Sequence, residues 1–166
     1  MGQQQLILLV LATVIVGVAI VIGVRAFTEN NVKNNYDNLV HDATRMASDA
    51  AAWKQKPESF GGQATANKAP GTWTGLDFEK MGYHPTTGTT CVFNENGWFQ
   101  VSVANGNILA GNANTNNQVT VLLPTAASPK PALDLTTSGA SVRGTAQATQ
   151  PAGCLESTKF GYTAGS

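Results

Sequence analysis

The sequence predicts an α+β fold in which one long N-terminal helix, hydrophobic at first and then amphipathic, packs on a small antiparallel sheet. Three observations lead to this prediction. An uncharged apolar run extends from Leu6 to Val24, apolar residues recur at helical spacing from Val32 to Trp53, and alternating apolar segments separated by Asn-Gly turns follow from Thr89. The 166 residues, less the apolar run, leave room for one domain of ordinary size.

The apolar run, which we place within a first segment at 1–25, is long enough to cross a membrane as a helix. Its nineteen residues include one polar side chain, Thr13. They would form a helix about 28 Å long, close to the thickness of a bilayer's hydrocarbon core. Three roles are open: a signal peptide, a permanent anchor, and an assembly helix that later packs against copies of itself. A signal peptide is disfavoured, because no Lys or Arg precedes the run and Val24-Arg25-Ala26-Phe27 is not a convincing cleavage site.

The helix is predicted to continue at 26–56 as an amphipathic segment. It should end at Lys56, because Pro57 restricts the residue before it and cannot occupy a helix interior. A helix from Gln3 to Gln55 would be about 80 Å long, so its first half needs a partner other than the domain. The apolar positions at helical spacing are Val32, Tyr36, Leu39, Val40, Ala43, Met46, Ala47, Ala50 and Trp53.

Two features weaken the case for one continuous helix. Gly17 and Gly23, together with their β-branched neighbours, lower helix propensity, so we expect bending or local melting between them. Asn is also a poor helix former, and the Asn-rich segment from Glu29 to Asn35 is compatible with a linker between a plain anchor and a separate domain. Continuity is our interpretation, and the linker is the alternative.

A connecting region at 57–88 and an antiparallel β domain at 89–166 complete the chain. The connection is rich in Gly, Pro and Thr, and a short helical turn is predicted from Leu76 to Met81, ended by Gly82. After Pro124 the chain has few large apolar residues and reads as surface loop with a short strand near 155–162. The predicted meander has strands at Thr89 to Phe93, Trp98 to Ala104, Asn107 to Ala110 and Gln118 to Leu123.

Composition and cysteine spacing restrict the possible functions. Ten basic residues balance ten acidic ones, so neither nucleic acid nor an anionic surface is implied as a partner. Cys91 and Cys154 lie far apart and outside any CxxC spacing. Outside the cytoplasm such a pair most simply forms a disulfide, and two buried thiols in a cytoplasmic domain are the alternative.

The sequence contains no motif that indicates an enzyme, a cofactor or a metal site. His84 and Cys91 raise the possibility of a Cys-His nucleophile, but a catalytic thiol must be free and activated, whereas Cys91 has a cysteine to pair with. Asp134 and Glu156 are isolated carboxylates, and 112–117 lacks the spacing of a calcium loop. Phosphate-binding, dinucleotide-binding and GxSxG motifs are absent from the sequence. We therefore predict no catalytic, cofactor-binding or metal-binding residues.

The start of the chain, Met1-Gly2-Gln3-Gln4-Gln5 followed by the apolar run, resembles mature type IV pilins and the related pseudopilins. In that family a prepilin peptidase removes a short basic leader, the new N-terminus is often methylated, and about twenty apolar residues, interrupted at position 5, usually by Glu, begin a long helix. Gln5 occupies that position if Met1 is the mature first residue. If Met1 is the initiator, the leader is only Met1-Gly2. Gln5 offers hydrogen bonds in place of a charge.

The resemblance implies a structural subunit of an extracellular filament. The helix would wait in the inner membrane and then enter a helical homopolymer, with pilus assembly machinery as a further partner. A C-terminal disulfide loop, frequent in the family, would join Cys91 to Cys154. Two alternatives remain: a pseudopilin of a secretion system, and a singly anchored envelope protein with a binding domain. The expected assembly residues are Met1, Gln5, Leu6, Leu9, Thr13, Gly17 and Gly23.

Overall fold

The computed structural model describes residues 2–69, 71–85, 90–112, 115, 117–125 and 130–133. Within them, one long helix packs its C-terminal half on a small antiparallel sheet, which confirms the predicted α+β architecture. Helix α1 spans Gly2–Gln55, 54 residues, and is therefore about 81 Å long. Met1, Cys154 and the predicted strand near 155–162 lie outside the described residues.

Helix α1 is unbroken through both of its weak points. The Asn-rich segment is helical, so the linker alternative does not apply, and the local melting expected between Gly17 and Gly23 is wrong. Each Gly costs a helix about 1 kcal/mol, which is small against the cooperative addition of a hydrogen bond at every residue. A Cβ atom built on Gly17 or Gly23 would have no other part of the described chain within 4 Å. No tertiary contact therefore pulls the backbone out of the helix at these positions.

The helix ends one residue before the predicted position, and the chain then reverses tightly. The Lys56 N–H bonds to the Trp53 carbonyl at 3.1 Å, and Pro57 precedes a 3₁₀ helix at Glu58–Phe60. Gly61 takes φ 78°, which allows the reversal. A second 3₁₀ helix spans Thr65–Asn67.

The predicted turn of the connecting region is present as a single turn closed by Gly82. The Gly82 N–H bonds to the Glu79 carbonyl at 3.0 Å, and the Tyr83 N–H bonds to the Phe78 carbonyl at 2.9 Å. With Gly82 at φ 89°, this pair of bonds is the Schellman motif that ends helical turns. The Phe78 and Tyr83 rings meet edge to face, with centroids 6.0 Å apart, which supplies the apolar contact of that motif.

The sheet is a five-stranded antiparallel meander in which each strand pairs with the next along the chain. The four predicted strands are confirmed with small shifts at their ends. The fifth strand was not predicted, because two residues are too short to show an apolar alternation. The strands are β1 Cys91–Asn94, β2 Gly97–Ser102, β3 Asn107–Asn112, β4 Asn117–Leu122 and β5 Ala132–Leu133.

The core lies between the C-terminal half of α1 and one face of the sheet. The apolar helix face predicted from spacing is confirmed: most of its members are buried, and Tyr36 and Val40 pack against the core from its edge. Trp73, Leu76 and Phe78 of the connecting region close the core at the end of the helix. The sheet contributes Val92, Phe99, Val101, Ile108, Ala110, Val119 and Val121, and Leu123 follows directly after β4.

Candidate assembly site

The N-terminal half of α1 is an apolar surface that the domain leaves uncovered. Fifteen large apolar side chains between Leu6 and Phe27 are 52 to 76% exposed. Among the described residues, this is the one helix long and apolar enough to cross a membrane, and none of its most apolar window is buried. The chain therefore carries a membrane-compatible helix that is continuous with a folded domain.

The predicted assembly residues within α1 lie on one side of it. At 100° per residue, the positions of Gln5, Leu6, Leu9, Thr13, Gly17 and Gly23 fall within about 120° of the helix circumference. All six residues are exposed, and Met1 lies outside the described residues. A single neighbouring helix can therefore contact several of these positions at once.

The polar side chains of this segment suit an apolar surrounding. The Thr13 hydroxyl donates to the Val10 carbonyl at 2.8 Å, and the Thr28 hydroxyl donates to the Val24 carbonyl at 3.0 Å. Neither hydroxyl then needs a partner in lipid or in another helix. Gly17 and Gly23 have no described atoms near their Cβ positions, so a second backbone can approach the helix there.

The Asn-rich part of α1 is where the helix is joined to the turns of the sheet. Asn35 donates through Nδ2 to the Asn96 carbonyl at 2.8 Å. Its Oδ1 accepts from the Thr115 hydroxyl at 2.8 Å and from Asn117 Nδ2 at 2.9 Å. Asn117 Nδ2 also donates to the Val32 carbonyl at 2.8 Å. These bonds, which we call the Asn35 network, connect the helix to the β1–β2 and β3–β4 turns.

A charged group, Asp42, extends this connection about two turns further along the helix. Asp42 Oδ2 accepts from Asn94 Nδ2 and from Asn96 Nδ2, both at 2.8 Å. Asn94 Oδ1 accepts in turn from the backbone N–H groups of Asn96 and Gly97 at 2.9 and 3.0 Å. Hydrogen bonds to a carboxylate are stronger than those between neutral groups, so Asp42 fixes the β1–β2 turn against the helix.

Polar contacts at the other end of the domain fix the connecting region. Tyr83 donates its hydroxyl to Asp49 at 2.5 Å, and burial, followed by the hydrogen bond and charge of Asp49, raises the pKa of Tyr83 to about 12. Lys54 donates to the Ala69 and Thr72 carbonyls at 2.9 and 2.6 Å, and its Nζ lies 4.5 Å from the centroid of the Trp73 ring. Burial lowers the pKa of Lys54.

Sequence reasoning did not identify the Asn35 network, although a signal for it was present. Asn residues are unfavourable inside helices and favourable in turns, and this chain has them at both places. An unfavourable residue within an otherwise strong helix indicates a tertiary role. Which amides meet cannot be read from spacing, because it depends on the register between helix and sheet.

The His, Cys, Asp and Glu side chains of the described residues are not gathered into a metal-binding cluster. No group of three His, Cys, Asp or Glu side chains in them is placed to hold a metal ion. His41 and His84 are exposed, whereas Cys91 is fully buried at the start of β1 and is not a free thiol. Cys154 is outside the described part of the chain, so its pairing with Cys91 stays a prediction.

Comparisons with known protein families, with curated proteins and with solved structures find no match to this chain. Two features of the chain itself bear on its function: the uncovered apolar half of α1 and the network that joins the other half to the sheet.

Proposed function

We propose that this chain is a structural subunit of an extracellular filament of the type IV pilus class, which polymerises through its N-terminal helix. The observation that carries the proposal is one continuous helix, whose apolar half is uncovered and whose other half is fixed to a domain. The chain would wait in the inner membrane, and partner proteins, including a prepilin peptidase, would process and assemble it.

The amount of uncovered apolar surface supports a partner for the first half of α1. Burying a large apolar side chain contributes about 1.5 to 3 kcal/mol. For fifteen side chains that are 52 to 76% exposed, this is on the order of 15 to 30 kcal/mol. A typical domain is stable by only about 5 to 15 kcal/mol, so lipid or other copies of the helix must cover this surface.

The rigid connection between the two halves favours assembly over passive anchoring. An anchor requires hydrophobicity alone, and a flexible linker would serve it equally well. A continuous helix fixed by the Asn35 network instead sets the position of the domain relative to the apolar half. Identical subunits with that fixed relation can repeat one heterologous contact that does not close, which produces a helical polymer.

Individual residues have distinct roles in this proposal. Leu6 and Leu9 supply apolar contact area. Thr13 can be buried in the filament core because its hydroxyl already donates to the Val10 carbonyl. Gly17 and Gly23 allow neighbouring helices to approach closely. Gln5 would lie at the end of the helix that the filament buries, where it contributes hydrogen bonds without a charge, and Met1 would precede it.

The proposed location outside the cytoplasm bears on the cysteines. We propose that Cys91 and Cys154 form a disulfide there, which the buried position and bound state of Cys91 support. Closing a loop of this length would stabilise the domain by about 4 kcal/mol on the chain-entropy account.

Two related functions fit the same uncovered helix. A pseudopilin of a secretion system would differ mainly in filament length. A singly anchored envelope protein would use the helix only to stay in the membrane, with its domain binding a partner.

Substitution of the two helix glycines separates assembly from anchoring. A Gly17→Leu/Gly23→Leu variant keeps the helix hydrophobic and raises its helix propensity, but it blocks close approach of a neighbouring helix. We expect normal amounts in the membrane fraction and about tenfold less filament in sheared cell-surface material, measured by negative-stain microscopy and immunoblotting.

Val18→Leu/Ile22→Leu is the matched control for this experiment. It adds leucines on the opposite side of the same helix, where no glycine is lost. Filament yields at the wild-type level in both variants would show that assembly does not need close helix approach at the two glycines. A passive anchor would give no filament in either variant or in the wild type.

A further inference from the structure

An open cleft at the C-terminal end of α1 contains two lysines and no carboxylate among the residues that line it. It has a volume of about 440 Å³ and is bordered by the helix, by the connecting region and by the chain after β4. We call it the lysine cleft. Its lining residues are Ala51, Lys54, Gln55, Lys68, Trp73, Pro124 and Thr125.

The positive charge of the lysine cleft is not balanced within the described residues. No carboxylate in that part of the chain lies within 4 Å of either ammonium group. Lys54 donates to the neutral carbonyls of Ala69 and Thr72. Lys68 donates once, to the Lys56 carbonyl at 3.0 Å, which leaves two of its three N–H groups for an anion. The cleft can therefore accept a carboxylate.

The β1–β2 turn presents such a carboxylate at a fixed position. Asn94, Asn96 and Gly97 are held by hydrogen bonds to one another and to Asp42. Glu95 lies between them and is exposed, and its side chain makes no hydrogen bond or ion pair with the described residues. The fold thus fixes the turn and leaves its carboxylate accessible.

The turn and the lysine cleft lie on opposite flanks of α1. At 100° per residue, Asn35 and Asp42, which contact the turn, point about 90° to one side of the buried Ala43. Ala51 and Gln55, which line the cleft, point about 80 to 120° to the other side. The midpoint of the second pair also lies about 22 Å further along the helix. Two parallel copies side by side, displaced by that distance, bring the turn of one to the cleft of the other.

We infer that Glu95 of one copy binds in the lysine cleft of the next copy and that this contact sets the axial offset between subunits. Charge complementarity selects the occupant, because a carboxylate and two ammonium groups gain charge-assisted hydrogen bonds when they meet. The contact joins two different surfaces, so every copy offers its turn to one neighbour and its cleft to another. Such a heterologous contact repeats without closing, as a filament requires.

This inference rests on the proposed filament and adds what the apolar helix lacks. Apolar contacts are not directional, and residues 2–24 carry no charge that would distinguish one axial offset from another. The turn is fixed to α1 through Asp42 and the Asn35 network. An offset that is set at Glu95 is therefore passed on to the apolar half of the helix.

Reversal of the two charges tests the contact. Glu95→Lys or Lys68→Glu alone would place like charges together at every subunit boundary, so we expect about tenfold less filament than from the wild type. The double variant Glu95→Lys/Lys68→Glu should restore most of the wild-type amount, because the reversed pair again meets between neighbouring copies. The two positions are on opposite flanks of α1, so the pair does not meet within one chain. Immunoblotting and negative-stain microscopy of sheared cell-surface material measure the filament.

Glu79→Lys is the control, since it makes the same charge change at an exposed position of the connecting region. Circular dichroism of each detergent-extracted variant checks that the monomer folds. Two results would overturn the contact: single variants that assemble as well as Glu79→Lys, or folded single variants that the double variant does not rescue. Either result would leave the filament standing without this contact. A wild-type chain that forms no filament overturns both.

Discussion

Asn35 illustrates how a residue that is unfavourable for a helix can be required by the fold around it. Its propensity cost within α1 is a few tenths of a kcal/mol, about 0.7 at most relative to Ala. In return its side chain donates to Asn96 and accepts from Thr115 and Asn117. Each such bond contributes about 0.5 to 1.5 kcal/mol, so the tertiary bonds outweigh the local cost.

Replacement of Asn35 should therefore destabilise the domain even though it improves the helix. We expect Asn35→Ala to lower the free energy of unfolding by about 1 to 3 kcal/mol, because three bonds are lost in a half-buried position. Denaturant unfolding of the detergent-solubilised chain, followed by Trp fluorescence, would measure it.

Asn34→Ala is the matched control, since Asn34 is exposed on the neighbouring position of the same helix. This substitution should be neutral or slightly stabilising by helix propensity. If the two variants were equally stable, the Asn35 network would have no energetic role.

At the scale of elements, α1 combines two environments in one continuous helix. Periodicity predicted both halves and the face that meets the sheet, because burial on one side leaves a regular pattern in the sequence. Asn-Gly turns predicted the hairpins for a similar local reason: Gly106 takes φ 61° between β2 and β3. These features depend on residues close together along the chain.

Features that depend on residues far apart in the sequence were harder to predict from it. The expected melting between Gly17 and Gly23 gave too much weight to local propensity, and β5 was too short to leave a pattern. The Asn35 network joins residues about 60 to 80 positions apart, so no local rule identifies its partners. For the candidate site, the sequence identified the apolar helix but not the contacts that fix the domain to it.

Continuity of α1 between its halves is a testable property of the element. Asn31→Pro removes a helix hydrogen bond and introduces a clash with the preceding turn, at a cost of about 3 kcal/mol. We expect the variant to enter the membrane and keep a folded domain while losing filaments, because the domain is no longer fixed relative to the apolar half. Filament counts and limited proteolysis of the domain would show this.

Asn31→Ala provides the comparison, as Asn31 is exposed and the substitution favours the helix. Normal filaments from Asn31→Pro would mean that the two halves act independently, as a linker would allow.

At the scale of the whole molecule, one half of α1 has its apolar face buried by the domain, and the other half leaves its apolar surface exposed. The domain buries the second half through Leu39, Met46 and Trp53, among others, whereas the first half stays open from Leu6 to Phe27. Lipid can cover the open half before assembly, and neighbouring helices can cover it afterwards.

Negative-stain microscopy of sheared cell-surface material, with mass spectrometry of the separated fibres, tests the central claim most directly. The account predicts thin filaments in which this chain is the main constituent. It would be contradicted if the chain occurred only as a monomer in detergent-extracted membranes and no filament contained it under any growth condition.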